Sequence, residues 1–476
     1  MFQSPPGTAV HWSRSGRPRE AYPLFRRLAR GRKGFAQELL LKLAAWCRDH
    51  GREGLANALY REALRRWPRE KRSCRWWIGL SRSASALHDW SGGRAALKAL
   101  PGLRAGLRIE HADRAAVVAD CDRRVERHLK HLATTLHSQG RRTWGLAMLD
   151  VSRLAYETYL KAFPRAKNHY LMAFQHADLL WMMVQRKLGV GDLSWARVAT
   201  AFEQISRLRR PPHVKHKEYL RRRDEAALAA VRSLMNATQL AGQNLTALTP
   251  RRPGGTCVVK PGQRCAALPA SKPWPIPALE RRLLRAYQWY LKLVPKSHYR
   301  GVVRYNSGYL YWKWNHLARA LPLFLRVARH HAGDLPRVAR AAAMRALYIL
   351  QDLKRPREYR KHLLKFLGTP QLTNDWSLRR KLEQMHAVLL RRDAERQRKR
   401  HHWTRCGRLY EKLVKRYSSG RHAARDHWRG ASCLEKAQLL SPAIRMYRRL
   451  ARYYGGVKRK PQAMVRVGRL LERLTF

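Results

Sequence analysis

Two clusters of basic residues are the parts of this 476-residue sequence best suited to binding chemistry. The first cluster, RLRRPPHVKHKEYLRRR, spans residues 207–223, and the second, RRDAERQRKRHHWTR, spans residues 391–405. Guanidinium and ammonium groups at this density bind carboxylates and phosphates through charge-assisted hydrogen bonds. The side chains proposed to contact an anion or a partner are Arg221, Arg222 and Arg223 in the first cluster and Arg398, Lys399 and Arg400 in the second.

Residues that could perform catalysis or bind a metal do not form a recognisable pattern. The sequence has no phosphate-binding glycine loop, no nucleophile elbow and no H-E-x-x-H helix. Its best-spaced histidines are His128 and His131, but Arg124 and Arg127 crowd them. Paired carboxylates for acid–base work are not expected from only 32 Asp+Glu. We therefore predict that the protein is not an enzyme and uses no cofactor or metal.

The seven cysteines are too sparse for a disulfide scaffold, and no two of them form a C-x-x-C pair. Cys257 and Cys265 bracket the turn-rich loop CVVKPGQRC, which could be bridged in an oxidising compartment. Two free thiols are the preferred interpretation of that loop. The odd number of cysteines also argues against a complete set of disulfides.

The charge balance is extreme, with 99 Lys+Arg against 32 Asp+Glu and a net charge of +67. The apolar fraction of 45% is ordinary, so the chain can bury sizeable cores and is not a disordered basic tail. A surface with such an excess of cations repels itself and needs acidic partners, polyanions or counterions nearby. The composition thus predicts a folded protein with an anionic partner.

Membrane insertion and export are not predicted. The most apolar run, LLWMMV at 179–184, is far shorter than a membrane span. The first twenty residues, MFQSPPGTAVHWSRSGRPRE, contain no apolar stretch typical of a signal peptide. We therefore expect a cytoplasmic protein, with the cell envelope as the alternative if this N-terminus is incomplete.

Helical periodicity dominates the sequence outside two segments. Apolar residues recur at i, i+3, i+4 and i+7, with Arg and Lys on the other faces, which predicts an all-α fold. Residues 1–20 are predicted to be a flexible basic segment. Residues 249–277 contain seven prolines and three glycines and are predicted to be a linker or long loop. Helical arrays are then expected at 21–248 and 278–476.

The two predicted arrays share a nine-residue signature. Residues 156–164 read YETYLKAFP and residues 287–295 read YQWYLKLVP, so that Tyr156 matches Tyr287 and Pro164 matches Pro295. Internal repetition in a long helical chain is typical of repeat architectures.

A finer pattern of small and aromatic residues lies within these arrays. The packed face of a hairpin's second helix is expected to carry a small residue, an aromatic residue four positions later and an apolar residue three positions after that. The first helix is expected to carry a small residue twelve positions before the small residue of the second. The residues predicted to pack the hairpins in this way are Ala44, Ala56, Tyr60, Ala63 and Pro68; Gly308, Ala320 and Phe324; and Ala431, Ala443 and Tyr447.

These segments resemble the tetratricopeptide repeat (TPR) family, whose 34-residue unit carries small residues at positions 8 and 20, an aromatic near 24 and a proline at 32. Residues 43–68, 305–324 and 431–450 fit this pattern, and the duplicated nonapeptide is similar to degenerate bacterial TPR proteins, many of them associated with the envelope. The resemblance implies a right-handed superhelical solenoid of five to eight helix-turn-helix hairpins, interrupted by the Pro/Gly-rich linker.

The resemblance also implies a non-catalytic scaffold or adaptor that binds a protein or peptide, and the positive charge favours acidic segments. Peptide-clamp members of the family hold a terminal carboxylate with a Lys/Asn/Arg set, to which Arg304 and Asn306 are the only match. One alternative is an RNA-binding or single-strand-binding protein, because the chain combines the two basic clusters with 16 Trp and 19 Tyr that could stack on bases. A second alternative is an envelope protein that contacts anionic lipid or polysaccharide.

Overall fold

The computed structural model describes residues 35–188, 193–238, 273–418, 422–454 and 459–475. Every regular element in these ranges is an α-helix, and most helices adjacent in sequence pack against each other. The helix Leu440–Tyr453, labelled α19 in the chain order given below, shows why the sequence folds in this way. It places Ala443, Ile444, Tyr447 and Leu450 on one buried face and arginines on the other. The all-α prediction is confirmed, and the described helices form a stack of TPR-like hairpins.

The chain divides into two compact units, which are described separately. The first unit comprises Met1–Gly242 with Gln288–Leu293, and the second comprises Gln243–Tyr287 with Val294–Phe476. The described helices of the first unit are α1 (Phe35–Asp49), α2 (Glu53–Arg66), α3 (Ser73–Ala86), α4 (Trp90–Glu110), α5 (Ala115–Thr143), α6 (Leu146–Ala162), α7 (His169–Gln185), α8 (Trp195–Arg207) and α9 (His216–Ala237).

Helix α10 (Ala278–Leu293) begins in the second unit, and its last six residues belong to the first. The remaining described helices of the second unit are α11 (Arg300–Lys313), α12 (Leu317–His330), α13 (Pro336–Asp352), α14 (Pro356–Leu367), α15 (Pro370–Thr373), α16 (Trp376–Lys399), α17 (Trp403–Arg416), α18 (Ala423–Lys436), α19 (Leu440–Tyr453) and α20 (Lys460–Thr475).

The two predicted non-helical segments fall largely outside the described residues. Residues 1–20 lie entirely outside them, as does the predicted linker up to residue 272. Residues 273–277 are described and are not helical. There, the Trp274 backbone N–H donates to the Trp314 carbonyl at 3.0 Å, and the Trp274 carbonyl lies 2.9 Å from the His316 Nε2 atom. The array boundaries at 248 and 278 remain predictions.

Eight pairs of helices in the described ranges are joined by turns with the same backbone conformation. In each turn one residue adopts a φ between 53° and 72°, and in seven of the turns a hydrogen bond of 2.8–3.0 Å follows. That bond runs from the next residue's N–H to the carbonyl four residues before the positive-φ position, as in the Schellman motif that ends a helix. The eight positive-φ residues are Gly51, His88, Trp144, Lys187, Asn315, Lys354, His401 and Gln438, and the turn without the bond is the one at Trp144.

Five of these hairpins share one packing register, and we call them the regular hairpins. Counted from the positive-φ residue, a small buried residue lies seven positions earlier and a second lies five positions later. A large buried residue follows at nine positions and packs against them. The small pairs are Ala44 and Ala56, Ser81 and Gly93, Gly308 and Ala320, Ala394 and Cys406, and Ala431 and Ala443; the large residues are Tyr60, Leu97, Phe324, Tyr410 and Tyr447.

The other three hairpins depart from this register, and we call them the irregular hairpins. They are α5–α6, α7–α8 and α13–α14, whose turns contain Trp144, Lys187 and Lys354. Seven positions before each turn residue stands a large side chain instead of a small one: His137, Leu180 and Leu347 respectively. The described residues contain these eight hairpins, and the total number of repeats in the chain stays a prediction.

Within the described residues two disulfides cross-link helices, although the sparse cysteines did not predict a disulfide scaffold. Cys74 on α3 bonds Cys121 on α5, and Cys406 on α17 bonds Cys433 on α18. Sequence spacing could not reveal these pairs, because their partners lie 47 and 27 residues apart on different helices. Cys47 is a buried free thiol, and Cys257 and Cys265 lie outside the described residues.

Candidate interaction surface

The first predicted cation triplet lies near the start of α9, where each arginine already has an acidic neighbour. Arg222 contacts Glu218 at 2.8 Å, Arg223 contacts Asp224 at 3.1 Å, and Arg221 lies 3.9 Å from Glu225. The side chains of Arg222 and Arg223 are only about one-fifth exposed. Arg221, with two-thirds of its side chain exposed, is the member most open to a partner.

The second predicted triplet lies at the end of α16. Arg398 donates to Glu395 at 2.9 Å within the same helix, whereas Lys399 and Arg400 are exposed and pair with no carboxylate in the described part of the chain. Cations at a helix C-terminus also interact favourably with the helix dipole. The two residues that best fit an anion-binding role at this end are therefore Lys399 and Arg400.

Arg304 and Asn306 do not converge into a carboxylate clamp. Both lie on α11, and a separation of two residues directs their side chains to nearly opposite sides of the helix. Arg304 is 8% exposed, and burial, with additional repulsion from Arg300 and Arg326, lowers the pKa of its guanidinium. Within the described chain no carboxylate pairs with it. The two residues resemble a clamp in sequence only.

The residues predicted to pack the hairpins occupy two kinds of position. The small and aromatic residues are buried, including Tyr156 and Tyr287 of the duplicated nonapeptide, which are both 0% exposed. Pro68, Pro164 and Pro295 are exposed and follow closely after α2, α6 and α10. A proline there cannot continue the helix, so these three residues mark helix ends rather than packing contacts.

Most of the tryptophan and tyrosine side chains in the described residues are buried or pack, partly buried, against the core. Trp76 and Trp77 are 0% and 1% exposed, and the Trp77 indole N–H donates to the Ala96 carbonyl at 2.8 Å. The exposed Trp144 is covered by Arg186, whose guanidinium carbon lies 4.4 Å from the ring centroid. Single-strand binding needs several open aromatic faces, so this arrangement does not favour it.

Most of the described carboxylates form ion pairs, and several of these pairs join two helices. Asp426 on α18 is 2% exposed and accepts hydrogen bonds of 2.6–3.1 Å from Arg391 on α16. Arg104 on α4 donates to Asp122 on α5 at 2.8 Å. The few acidic groups therefore stabilise the stack, and the remaining cations on the surface have few carboxylates to neutralise them.

The histidines do not form a metal site within the described residues. His128 is 5% exposed and its Nε2 atom lies 3.0 Å from the Ser81 hydroxyl, whereas His131 is exposed. Burial, with Arg82 and His131 nearby, lowers the pKa of His128 to about 3. His128 is thus a neutral core residue.

No helix in the described ranges is both long and apolar enough to cross a membrane.

Three of the clefts in the described part of the chain open beside irregular hairpins. One of about 430 Å³ lies around Trp376, and one of about 480 Å³ lies between Trp144 and Trp181. The largest, about 910 Å³, is bordered by α13, α14 and α16, and we call it the α13–α16 groove. Its residues form no motif that stands out in the sequence. One feature of the sequence could have indicated the groove: α16 carries apolar residues, such as Val388, outside its packed face.

Comparison with known proteins gives structural similarity alone. No protein-family model matches the chain, and no curated protein does. A solved structure of the P58(IPK) TPR domain covers 92% of this chain and 98% of its own, with 12% identity and a TM-score of 0.21. Yeast Tom70 covers 98% and 95% with 13% identity and a TM-score of 0.15. The human IFIT1 dimer with m7Gppp-AAAA covers 91% and 89% with 10% identity and a TM-score of 0.23. TM-scores this low carry no inference about partners.

Proposed function

We propose that this protein is a non-catalytic scaffold that binds acidic segments of other proteins through its basic helical surface. The observation that carries the proposal is the imbalance of charges together with where the carboxylates are used. Arg and Lys outnumber Asp and Glu by 99 to 32, and buried or half-buried acids such as Asp426 and Asp150 are occupied by arginines between helices. Exposed cations such as Lys399 and Arg400 then have to find their counter-charges outside the chain.

Burial of the aromatic residues favours a protein partner over a nucleic acid. Single-strand binding would combine cations with open stacking platforms, whereas most of the described indole and phenol rings are buried or pack, partly buried, against the core. A protein segment needs only carboxylates for the guanidinium groups and apolar anchors for exposed apolar positions on the helices.

The test is affinity capture on the immobilised full-length protein from a native lysate, with and without nuclease. Washes at about 0.15 M and then at several-fold higher salt screen exposed charge contacts. We expect a small set of proteins with acidic segments to remain after both treatments, and cross-linking to place those segments on this chain. Retention of nucleic acid alone, lost at higher salt, would overturn the proposal in favour of RNA or single-strand binding.

The two disulfides bear on where this binding takes place. Disulfides persist in oxidising compartments and are rare where glutathione keeps thiols reduced. The Cys74–Cys121 and Cys406–Cys433 bonds therefore favour the envelope alternative over the cytoplasm. Alkylation of the protein taken from its native host, with and without prior reduction, measures this directly. Four cysteines that become alkylated only after reduction are expected at these positions.

A further inference from the structure

The α13–α16 groove brings together exposed apolar side chains from two helices. Tyr348 on α13 is 49% exposed and Val388 on α16 is 58% exposed, although both belong to the bulky apolar residues that a helix normally buries. Half-buried Met344, Met385 and Leu389 line the floor between them. Unbranched methionine side chains adapt to apolar partners of different shape, which suits a binding surface. The groove thus presents apolar contacts that the fold itself leaves unused.

Cations surround these apolar side chains. Lys354, Lys381 and Arg392 are exposed, line the groove and pair with no carboxylate in the described residues. Arg355 also lines the groove but contacts Glu358 at 3.3 Å. Acidic side chains are absent from the described lining, whereas glutamine amides are present. An occupant of this groove must therefore combine apolar groups with negative charge.

The backbone holds one of these cations in place. Lys354 is the positive-φ residue of the α13–α14 turn, and the following N–H, that of Arg355, donates to the Leu350 carbonyl at 3.0 Å. The turn is thereby fixed, so the lysine starts from a defined position at the edge of the groove. A preorganised charge loses less conformational entropy on binding than a charge on a mobile loop.

We propose that the α13–α16 groove binds a segment of a partner protein that carries apolar anchors flanked by Asp or Glu. This inference rests on the proposed scaffold function and gives it a site. Aliphatic and thioether side chains on the groove floor suit leucine-like anchors rather than stacked bases. A second copy of this chain is disfavoured, because its exposed apolar helix α20 carries Arg466, Arg469 and Arg473 and would be repelled by the rim.

The probe for this proposal is a fluorescent 18-residue peptide with leucines on one helical face and glutamates elsewhere. Its anisotropy is measured against the full-length protein at about 0.15 M salt, a concentration that screens charges beyond about 8 Å. Two control peptides replace all glutamates with glutamine or all leucines with serine. We expect the Leu/Glu peptide to bind at least tenfold more tightly than either control, because the groove recognises both properties.

Matched variants locate the binding. Val388→Glu places a carboxylate on the apolar wall, and its control is Val465→Glu on α20, where the valine is 55% exposed compared with 58% for Val388. Lys381→Glu reverses a rim charge, and its control is Lys98→Glu on the exposed side of α4. We expect roughly tenfold weaker binding for Val388→Glu, several-fold weaker binding for Lys381→Glu, and changes below twofold for the two controls.

Three outcomes separate the groove from the wider function. Equal weakening by a groove variant and its control would show general charge attraction and would overturn the groove as the site. Binding of the Leu/Glu peptide that Val388→Glu leaves unchanged would move the site elsewhere and leave the scaffold function standing. Absence of acidic-peptide binding, with retention of a single-stranded RNA of equal length, would overturn both. Circular dichroism melting of each variant checks that the helices remain folded.

Discussion

The hairpins α18–α19 and α13–α14 turn in the same way but pack differently. Both turns contain a positive-φ residue and the same reversing hydrogen bond. In α18–α19 the small residues Ala431 and Ala443 let the two helices pack closely, whereas α13–α14 has Leu347 and Tyr359 at the equivalent positions. The helices of α13–α14 pack against each other less extensively, and the α13–α16 groove opens beside them.

These two hairpins show that the turn of a repeat and the close packing of its helices are separate properties, although the sequence motif combines them. The turn needs only backbone geometry, which Lys354 and Gln438 provide equally well. In α13–α14, large residues at the two positions accompany looser packing, whereas the irregular hairpin α5–α6 packs closely through Gly140 and Leu149, outside that register. The clefts around Trp144 and Trp376 also adjoin irregular hairpins.

The largest expected effect comes from exchanging small and large residues between the two kinds of hairpin. Leu347 is 0% exposed, so Leu347→Ala would leave a cavity and cost about 2–5 kcal/mol. The reciprocal change is Gly308→Leu in the regular hairpin α11–α12, where even a Cβ atom would lie 3.2 Å from the Phe324 ring, and it would cost about 1–3 kcal/mol.

Hydrogen exchange of the affected helices measures both changes locally. We expect faster exchange in α13 and α14 for Leu347→Ala and in α11 and α12 for Gly308→Leu. If Gly308→Leu exchanges like the wild type, the register assigned to the regular hairpins is wrong.

The next effect concerns the disulfide between two regular hairpins. Replacing Cys406 and Cys433 together with alanine removes a cross-link across 27 residues and should cost roughly 3–4 kcal/mol. Cys47→Ala is the matched control, because that cysteine is equally buried but forms no bond and should cost only about 1 kcal/mol. Urea unfolding with and without reductant compares them. A wild type that is insensitive to reductant would show that packing alone holds α17 to α18.

A smaller, pH-dependent effect is expected at the buried histidines. The pKa of His128 is lowered to about 3 by burial and that of His427 to about 4, from an ordinary value of 6.5. Above pH 6.5 the two histidine side chains are neutral in both the folded and the unfolded protein. Below pH 6.5 they bind protons in the unfolded chain but stay neutral in the folded one. Stability is therefore lost as the pH falls from 6.5 toward 4, by up to about 1.4 kcal/mol per pH unit for each histidine.

Thermal melting of wild type, His128→Asn and His131→Asn between pH 7 and pH 4.5 tests this expectation. The His128 variant should show a shallower decline than wild type, and the variant at the exposed His131 should retain the full decline. Equal slopes for all three proteins would assign the acid sensitivity to other groups.

The smallest effect concerns the turns themselves. A non-glycine residue in the left-handed region costs roughly 1–2 kcal/mol, partly offset by the greater freedom of glycine in the unfolded chain. Gln438→Gly should therefore stabilise α18–α19 by about 0.5 kcal/mol, and Gly51→Ala should destabilise α1–α2 by a similar or larger amount. The midpoint of thermal unfolding reports both, and a stabilising Gly51→Ala would contradict the shared turn geometry.

The sequence predicted the fold where the packing residues are unusual in type. Small residues twelve positions apart and an aromatic four positions later identified three regular hairpins, because close backbone approach permits few alternatives. Two regular hairpins were missed because other residue types occupy the diagnostic positions. Ser81 and Leu97 stand there in the hairpin around His88, and Cys406 stands there in the hairpin around His401. The same physical role is filled there by residues that the family pattern does not emphasise.

The interaction surface was less predictable than the fold. The charge excess is evident from composition, but which cations lack a carboxylate depends on three-dimensional pairing. Arg391 is paired with Asp426, 35 residues away on another helix, whereas Lys354 and Lys381 pair with no carboxylate in the described residues. Exposure of Val388 likewise depends on how α13 and α14 pack beside α16, and that arrangement cannot be deduced from the periodicity of α16 alone.

The two cross-links also determine how the protein would respond to a pulling force. Repeats in a stack contact mainly their neighbours and would be extracted one after another from the ends. Each disulfide closes a loop that could not extend while the bond holds. The loop closed by Cys74–Cys121 spans 47 residues, and the loop closed by Cys406–Cys433 spans 27. Roughly 160 Å and 90 Å of contour length would be withheld. In a single-molecule pulling experiment, the fully extended chain would therefore measure shorter by these two lengths. Adding a reductant would restore the full length.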